Sequence, residues 1–338
     1  MRFVTVTDPP DPTPPTTPPE HPVPAAPHRT GLLLGDRVRL FPEGTTLLDL
    51  LHDPDGLTAA GEKLNATPGE TVALTGVHLA APLPQPPTVR DFMVFERHVE
   101  GVSMLMGDGS GPVDEWYEMP AFYFTNPYAV TGPYDDVPVP PGCQVLDFEL
   151  EVAAVVGKAG RDLTIEEAEG HIAGYMIMND WSARDLQGPE MRVRLGPAKA
   201  KDTATTLGPA LVTADELAPY REGDSFDLGM SVSVNGTVIG SDRLTGMAWS
   251  FAEMVAYASR GTWVRPGDVL GSGTCGGGCL AELWGRRGRD ALPSIQVGDV
   301  VTMTVEQLGT LRNTVVPGVA PHPLAPRTRP PHRVARPH

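Results

Sequence analysis

The sequence is short of cysteine, of basic residues and of long apolar runs. Its three cysteines, Cys143, Cys275 and Cys279, cannot all pair, and their odd number favours a reducing compartment over a disulfide framework. The opening residues, MRFVTVTDPPDP, lack the apolar stretch of a signal peptide, and no run of about 18 apolar residues occurs anywhere. We therefore expect a soluble, cytoplasmic protein with no membrane span.

Basic residues are outnumbered, because 26 lysines and arginines face 42 aspartates and glutamates and give a formal net charge of −16 at pH 7. An acidic surface repels phosphate backbones, so we expect no nucleic-acid partner. The same charge does not oppose the binding of divalent cations. The excess of acid therefore argues against one class of partner and leaves a metal-dependent function open.

Proline and glycine are abundant, with 37 of each, and favour turns, short strands and loops over long helices. Proline is dense in residues 8–29, 81–87 and 317–338. This distribution predicts a small β-rich N-terminal domain over 1–80 that contains the first proline-rich segment, followed by a linker at 81–87. The main domain is then expected over 88–316, and residues 317–338 are expected to be a disordered tail.

Local patterns between residues 88 and 316 predict mostly strands with a few short helices. Thr164 is a plausible helix N-cap before IEEAEGHIAG, and GYMIMND has the apolar content of a buried strand. The segment SVSVNGTVIG predicts a hairpin that turns at Asn235-Gly236, and the stretch 249–259 has helical spacing. These elements predict an α+β fold that is mainly β.

The clearest candidate for chemistry is a set of carboxylates on or next to strands. Glu149 and Glu151 are two residues apart, so on a strand they point to the same face, where only a cation would relieve their repulsion. Asp180 follows the apolar strand GYMIM and could complete an oxygen-only site for Mg²⁺ or Ca²⁺. The alternatives are a solvated strand face for the glutamates and a helix N-cap for Asp180.

Two further segments carry candidate catalytic groups. Lys201 follows a Gly-Pro turn in LGPAKAKD, where it either holds an anionic oxygen or is simply exposed. The segment RDFMVFERH is expected to be a short amphipathic helix with Asp91 near its start. Asp91 and His98 in this segment could equally have structural roles, as a cap or ion-pair partner and as a core histidine.

The glycine-rich stretch 271–279 contains a G-x-G-x-x-G match, but no βαβ unit follows it, which argues against dinucleotide binding. Cys275 and Cys279 lack a second pair of soft ligands that would complete a zinc site. A flexible loop whose backbone approaches a ligand is the better interpretation. Glu282 follows within the apolar run LAELW, where a buried carboxylate needs a partner.

Taken in order, the motifs R-D-F-x-x-F-E-x-H-V, D-F-E-L-E, N-D-W-S-A-R-D-L-Q, L-G-P-x-K-x-K-D and G-S-G-T resemble the fumarylacetoacetate hydrolase family over residues 88–316. The resemblance implies a mixed β-sandwich or roll as the main domain and a homodimer as the usual assembly. It also implies a Mg²⁺ ion, with Mn²⁺ or Ca²⁺ as alternatives, held by four carboxylates: Asp91, Glu149, Glu151 and Asp180.

The same resemblance assigns the remaining site residues. His98 is expected to be the general base, oriented by Glu282. Contacts to substrate are expected from Lys201, Gln187, Thr274 and Tyr123. In this scheme Lys201 also stabilises the enolate that forms when the bond breaks.

These assignments imply a Mg²⁺-dependent hydrolase that cleaves a C–C bond in a 1,3-dicarbonyl acid of the fumarylacetoacetate or acylpyruvate type. The alternative within enzymes is a decarboxylase, isomerase or hydratase of 2-oxo-diacids in aromatic catabolism. An alternative of another class is a metal-binding scaffold without activity. The presence of all the proposed metal ligands and of the proposed base argues against it. The pair His98 and Glu282 favours hydrolysis, because tautomerisation requires no activated water.

Overall fold

The computed structural model describes residues 1–9, 28–106 and 109–327. The helices are α1 (Leu47–Leu51), α2 (Gly56–Ala66), α3 (Glu96–Met106), α4 (Ile165–Glu169), α5 (Arg184–Val193), α6 (Ala214–Leu217), α7 (Phe251–Ala258) and α8 (Leu280–Arg287). In this described part of the chain, no helix has both the length and the apolar character needed to cross a bilayer.

The strands of the first half are β1 (Arg2–Thr7), β2 (Arg29–Leu34), β3 (Arg37–Leu40), β4 (Thr71–Ala73), β5 (His78–Ala80), β6 (Val89–Phe92), β7 (Phe122–Thr125), β8 (Val130–Thr131), β9 (Val137–Pro138), β10 (Leu146–Asp147), β11 (Leu150–Val156) and β12 (Gly160–Arg161). Those of the second half are β13 (Ile172–Asp180), β14 (Ser182–Ala183), β15 (Thr205–Thr213), β16 (Arg221–Glu222), β17 (Ser225–Phe226), β18 (Gly229–Val234), β19 (Thr237–Arg243), β20 (Trp263–Val264), β21 (Val269–Gly271), β22 (Val300–Val305) and β23 (Gly309–Val316). The predicted α+β fold, mainly β, is confirmed.

A large mixed sheet dominates the architecture. Its main path runs β4-β3-β2-β1-β15-β13-β11-β21-β6-β7, with β5 beside β1 and β8 beside β15. A second sheet has the order β19-β18-β22-β23-β9. The two sheets share one apolar core, in which Val152 and Ile177 of the large sheet lie with Val232 and Met303 of the small one. This is the sandwich that the sequence motifs imply.

The N-terminal strands are continuous with the large sheet. Phe3 of β1 pairs with Leu211 of β15, so strands from before and after residues 81–87 belong to one sheet. Leu83, inside the predicted linker, is buried. The large sheet thus contains strands from both sides of residues 81–87. The domain boundary at these residues stays a prediction.

The proline-rich ends fall partly outside the described residues, which omit 10–27 and 328–338. Arg29 closes the predicted proline-rich segment but begins β2, where it pairs with Val6. Its guanidinium also donates two hydrogen bonds to Glu70, at 2.7 and 3.0 Å. Strand β2 thus begins at the last residue of the predicted proline-rich segment.

Several local predictions are confirmed. Thr164 caps α4 through a capping box with Glu167, and GYMIMND lies within β13. The hairpin β18–β19 turns at Asn235 and Gly236, whose φ angles of 51° and 79° suit these two residue types. The helical stretch 249–259 contains α7.

The helix predicted from Asp91 onward is wrong in its first half. Residues Val89–Phe92 form β6, which pairs with β21 on one side and β7 on the other. All four side chains are buried, so pairing in the sheet overrides the helical pattern. The helix α3 begins only at Glu96, which leaves His98 in its first turn.

The two faces of the large sheet have different cores, and this decides where the site lies. Val152 and Ala154 of β11 contact the core shared with the second sheet. Ala153 and Val155 face the opposite core, which contains residues of α1 and α2. Side chains alternate along a strand, so Glu151 belongs to this opposite face.

Deletion of residues 318–338 is expected to leave folding and activity intact. Residues 317–327 are all exposed and lie outside helices and strands, so little apolar burial is lost with them. We expect a melting temperature within about 1 °C of that of the full chain, which for a chain of this length corresponds to a change in stability below about 1 kcal/mol. A larger fall on thermal melting would show that the tail packs on the core.

Candidate active site

Neighbouring strands bring four carboxylates together on one face of the large sheet. The strands lie in the order β13-β11-β21-β6. Asp180 ends β13, Glu151 lies on β11, and Asp91 lies on β6 opposite Gly271 of β21. Asp91 lies two residues after Val89 on β6, so its side chain points to the same face, toward the core that contains residues of α1 and α2. Glu149 lies two residues before Glu151. Its backbone carbonyl oxygen accepts a hydrogen bond from Asp180 N at 3.2 Å, so Glu149, just before β11, and Asp180, at the end of β13, are neighbours. The alternation predicted for the two glutamates therefore leads to a shared site.

Gly271 of β21 leaves room for this cluster between β11 and β6. A Cβ at this position would lie 2.8 Å from Glu151 Oε2, too close for an ordinary contact. The backbone N–H of Gly273 donates to the same Glu151 oxygen at 2.9 Å. The glycine-rich loop thus approaches a carboxylate of the site with its backbone.

The carboxylates are buried and incompletely paired. Asp91, Glu149, Glu151 and Asp180 are at most 5% exposed. Asp91 Oδ1, Glu151 Oε1 and Asp180 Oδ1 have no hydrogen-bond partner among the described residues. Burial and mutual repulsion raise the pKa of Asp91 and Glu151 well above the usual range and also raise that of Asp180.

A divalent cation fits this arrangement. Asp91, Glu149 and Asp180 each offer an oxygen within 4.8 Å of the others, which brings three hard ligands to one point. Oxygen-only sets of this kind suit Mg²⁺, Mn²⁺ or Ca²⁺. The cation would offset the repulsion that raises the carboxyl pKa values, and the unpaired oxygens are available to it.

Lys201 and Tyr123 contact the same carboxylates. Lys201 Nζ donates to Asp180 Oδ2 at 2.6 Å and also to Glu149. Burial lowers the pKa of Lys201, but Asp180 and Glu149 outweigh it and raise the value, so the ammonium stays charged. The Tyr123 hydroxyl lies within hydrogen-bond distance of Asp91 Oδ2, at 2.8 Å, and of Asp180, and it shares its single hydrogen between them. Both residues therefore lie where the resemblance expects substrate contacts, and those roles remain predictions.

Arg184 is a site residue that the motif contained but to which no role was assigned. Its Nε donates to Asp147 Oδ2 at 2.8 Å and its Nη2 to Glu149 Oε1 at 2.7 Å. Burial raises the pKa of Glu149, but Lys201 and Arg184 together outweigh burial and lower it. Asp147 also accepts the first N–H groups of α8, from Leu280 at 2.8 Å. Arg184 thus links the metal-site carboxylate to a helix terminus.

Replacement of Arg184 by alanine is expected to destabilise the protein by about 3 kcal/mol, because Asp147 and Glu149 would both remain buried without this partner. Chemical denaturation measures the change. The matched control is Arg221→Ala, since Arg221 forms an ion pair with Glu169 at the surface and such pairs contribute about 0–1 kcal/mol. Equal losses in the two variants would contradict the assignment.

His98 and Glu282 face each other across two packed helices, α3 and α8. His98 Nδ1 lies 3.7 Å from Glu282 Oε2, longer than a hydrogen bond but within ion-pair range. Glu282 is held by Gly277 N at 2.6 Å and by Arg286 Nε at 2.9 Å. Burial raises the pKa of Glu282, but the contact with His98 and the bond from Gly277 outweigh it and lower the value. An anionic Glu282 is the partner that an imidazolium requires.

The structure also locates Gln187 and Thr274. Gln187 Oε1 accepts from Arg184 Nη1 at 3.1 Å, so its side chain is at the edge of the carboxylate cluster. Thr274 is 2% exposed and follows β21 in the glycine-rich loop. Their contacts with substrate remain predictions.

Comparison with known proteins gives a family match over most of the chain. A family model described as "Fumarylacetoacetate (FAA) hydrolase C-terminal" matches residues 88–316. The human protein named "Oxaloacetate tautomerase FAHD2A, mitochondrial" is 35% identical over 188 residues, which are 56% of each chain. The Arabidopsis thaliana "Fumarylacetoacetase" is 29% identical over 241 residues, 57% of each chain. The matches thus span little more than half the length of these relatives.

Solved structures share the fold over nearly the whole chain. A probable 2-hydroxyhepta-2,4-diene-1,7-dioate isomerase from Mycobacterium abscessus is 26% identical, with a TM-score of 0.65, and the match covers 86% of this chain and 96% of that one. Maleylpyruvate hydrolase from Sphingobium sp. SYK-6, in complex with manganese (II) ion and pyruvate, is 21% identical with a TM-score of 0.67. That match covers 94% of this chain and 100% of the hydrolase, and at this identity it shows the fold alone.

Proposed function

The chain belongs to the fumarylacetoacetate hydrolase family, and from this premise we propose that it is a metal-dependent hydrolase of a C–C bond in a small 1,3-dicarbonyl acid. Acylpyruvates and fumarylacetoacetate are the substrate types that we propose. The observation that carries the proposal is the buried carboxylate cluster beside the pair His98 and Glu282. Three oxygens of this cluster have no hydrogen-bond partner in the part of the chain that the structure describes. A metal site alone would serve several reactions, whereas a base with an anionic partner supports the activation of water.

The proposed metal ligands are Asp91, Glu149, Glu151 and Asp180, with Mg²⁺ as the proposed ion. Mn²⁺ is an alternative, and the manganese in the maleylpyruvate hydrolase structure supports a divalent cation in this fold. When bound, the cation supplies Lewis acidity that polarises the oxygens of a dicarbonyl acid. The unpaired oxygens of three of the four carboxylates support this assignment.

The proton transfers are then carried out by side chains of the protein. His98 takes a proton from water, and the hydroxide attacks the carbonyl carbon of the substrate. Glu282 stabilises the imidazolium that results. The C–C bond breaks with its electron pair moving into an enolate, and the ammonium of Lys201 stabilises the enolate oxygen. Protonation of the enolate carbon by the imidazolium returns His98 to its neutral form and completes the balance.

Tautomerisation of oxaloacetate is the second candidate. The human relative at 35% identity has that activity in its name, and keto–enol exchange needs a metal and a proton carrier but no attacking water. His98 would suffice as the carrier. The two candidates therefore differ in whether a C–C bond is cleaved.

An activity panel tests the proposal. Purified protein is assayed with acylpyruvates, fumarylacetoacetate, oxaloacetate and 2-oxohept-3-ene-dioate, with Mg²⁺ and after chelation. We expect Mg²⁺-dependent loss of ultraviolet absorbance with release of two carboxylic products from an acylpyruvate. Enol–keto exchange of oxaloacetate without any cleavage would favour the tautomerase, and no turnover of any substrate would favour a metal-binding scaffold.

We also propose that the protein acts in the cytoplasm as a homodimer on this small acid, without a nucleic-acid partner. The family resemblance supports the dimer, and the net charge of −16 supports the absence of nucleic acid. Light scattering after size exclusion measures the assembly. A monomeric mass would contradict the dimer.

A further inference from the structure

A second cluster of metal-binding side chains lies beside the oxygen-only site. We propose that His98, Cys279 and Glu149 form a site for a soft divalent cation such as Zn²⁺. One ligand atom of each residue lies within 4.8 Å of the other two, and all three residues are buried. The set offers nitrogen, sulfur and oxygen, which is the mixture that zinc accepts and magnesium does not.

The distances suit a tetrahedral ion. Ideal bond lengths of about 2.3 Å to sulfur and 2.0–2.1 Å to nitrogen place the two ligand atoms about 3.6 Å apart. Cys279 Sγ lies 3.7 Å from His98 Nδ1. The imidazole and the thiol therefore have nearly the separation that a shared zinc ion requires. Glu149 belongs to both groups of ligands, so as third ligand it would bridge this ion and the Mg²⁺ of the oxygen-only site, one carboxylate oxygen to each. The fourth position then stays open, as in catalytic zinc sites.

Rigid elements hold the cysteine in place. Cys279 is the N-cap of α8, where its sulfur accepts from Glu282 N at 3.4 Å. Burial raises the pKa of Cys279 well above its usual range, so the sulfur is a thiol until a cation arrives. Binding of the ion then transfers the thiol proton to solvent, as in other thiolate sites.

Cys275 provides an internal comparison. It is also 0% exposed and lies four residues earlier in the same loop. In the described part of the chain, the groups that could hold a metal include Cys279 but not Cys275. A soft cation should therefore distinguish the two cysteines, although both are buried and both have a raised pKa.

Occupation of this site would take His98 away from catalysis. A ring nitrogen bound to zinc cannot accept a proton, so Zn²⁺ should inhibit hydrolysis while Mg²⁺ supports it. This consequence rests on the proposed function, whereas the binding of the soft cation does not. The two are tested by separate measurements.

Cobalt provides the binding test, because Co²⁺ bound by a thiolate has a sulfur-to-metal charge-transfer band in the near ultraviolet. The full-length protein is stripped of metal, saturated with Mg²⁺ and titrated with Co²⁺. We expect the band at one equivalent in the native protein and in Cys275→Ser, and its loss in Cys279→Ser. Serine is a good N-cap, so Cys279→Ser should keep α8 and the melting temperature.

The Co²⁺ affinity of Cys279→Ser should fall by more than the roughly 10–100-fold that loss of an outer-shell partner costs. Absence of the band in native protein, its persistence in Cys279→Ser, or its equal loss in Cys275→Ser would overturn the site. In the activity arm, one equivalent of Zn²⁺ should inhibit the Mg²⁺-saturated native protein but not Cys279→Ser. If the charge-transfer band appears as expected but no substrate is turned over, the metal site stands and the proposed hydrolase activity fails.

Discussion

Replacement of Asp180 by asparagine is expected to abolish Mg²⁺ binding and activity while the fold is retained. Asp180 is fully buried, and its Oδ2 accepts from Lys201 at 2.6 Å. Its Oδ1 has no hydrogen-bond partner within residues 1–9, 28–106 and 109–327. An amide has nearly the same shape, but it is a poor ligand for a hard cation. We expect Mg²⁺ affinity to fall by more than about 100-fold, beyond the usual cost of losing an outer-shell partner.

Isothermal titration with Mg²⁺ measures the loss, and circular dichroism follows the fold. The matched control is Asp268→Asn, since Asp268 is also buried and pairs with Arg90 at 3.1 Å but is outside the cluster. That variant should lose some stability and keep its Mg²⁺ affinity. Full affinity in Asp180→Asn would refute the oxygen-only site.

Replacement of His98 by alanine should reduce hydrolysis by about 10²–10⁴-fold, the usual contribution of a positioned base. Mg²⁺ binding should persist, because the proposed ligands of that ion are the four carboxylates. The expected loss is in kcat at saturating Mg²⁺ and substrate. His98 is 5% exposed on α3, so the alanine also leaves a small cavity, and its effect on the melting temperature is recorded alongside.

His171→Ala is the control for this variant, because His171 is 8% exposed but bonds the carbonyl of Glu167 at 2.8 Å, away from the site. It should keep the native kcat. Hydrolysis of acylpyruvates at the native rate by His98→Ala would remove the base assignment. The oxaloacetate tautomerase would then be the better proposal, since keto–enol exchange requires no activated water.

The carboxylate cluster was predictable from the sequence because its geometry is local. Alternation along a strand places Glu149 and Glu151 on one face, and a strand end places Asp180 beside them. Asp91 was assigned by resemblance, yet its segment was expected to be a helix. The strand β6 forms because β21 and β7 pair with it, and such distant partners leave no trace in a nine-residue pattern.

Relations between distant segments were the hardest to predict. The role of Arg184 depends on Asp147 lying at the N-terminus of α8, more than a hundred residues farther along the chain. The closeness of Cys279 to His98 depends on the packing of α8 against α3, so no local pattern favoured Cys279 over Cys275. The pairing of β1 with β15 could not be predicted from composition either, because the proline-rich segments suggested a domain boundary between these two strands.

The pairing of β1 with β15 has a consequence for how the protein is made. Met1 contacts Thr213 across 212 positions of sequence, so β1 leaves the ribosome well before its neighbour β15. At about 5–20 residues per second, that partner emerges some 10–40 s afterwards. During this interval β1 has an unpaired edge that can join another chain. Yield in the cell should therefore depend on synthesis rate and on chaperones that shield nascent strands, even where the finished protein is stable.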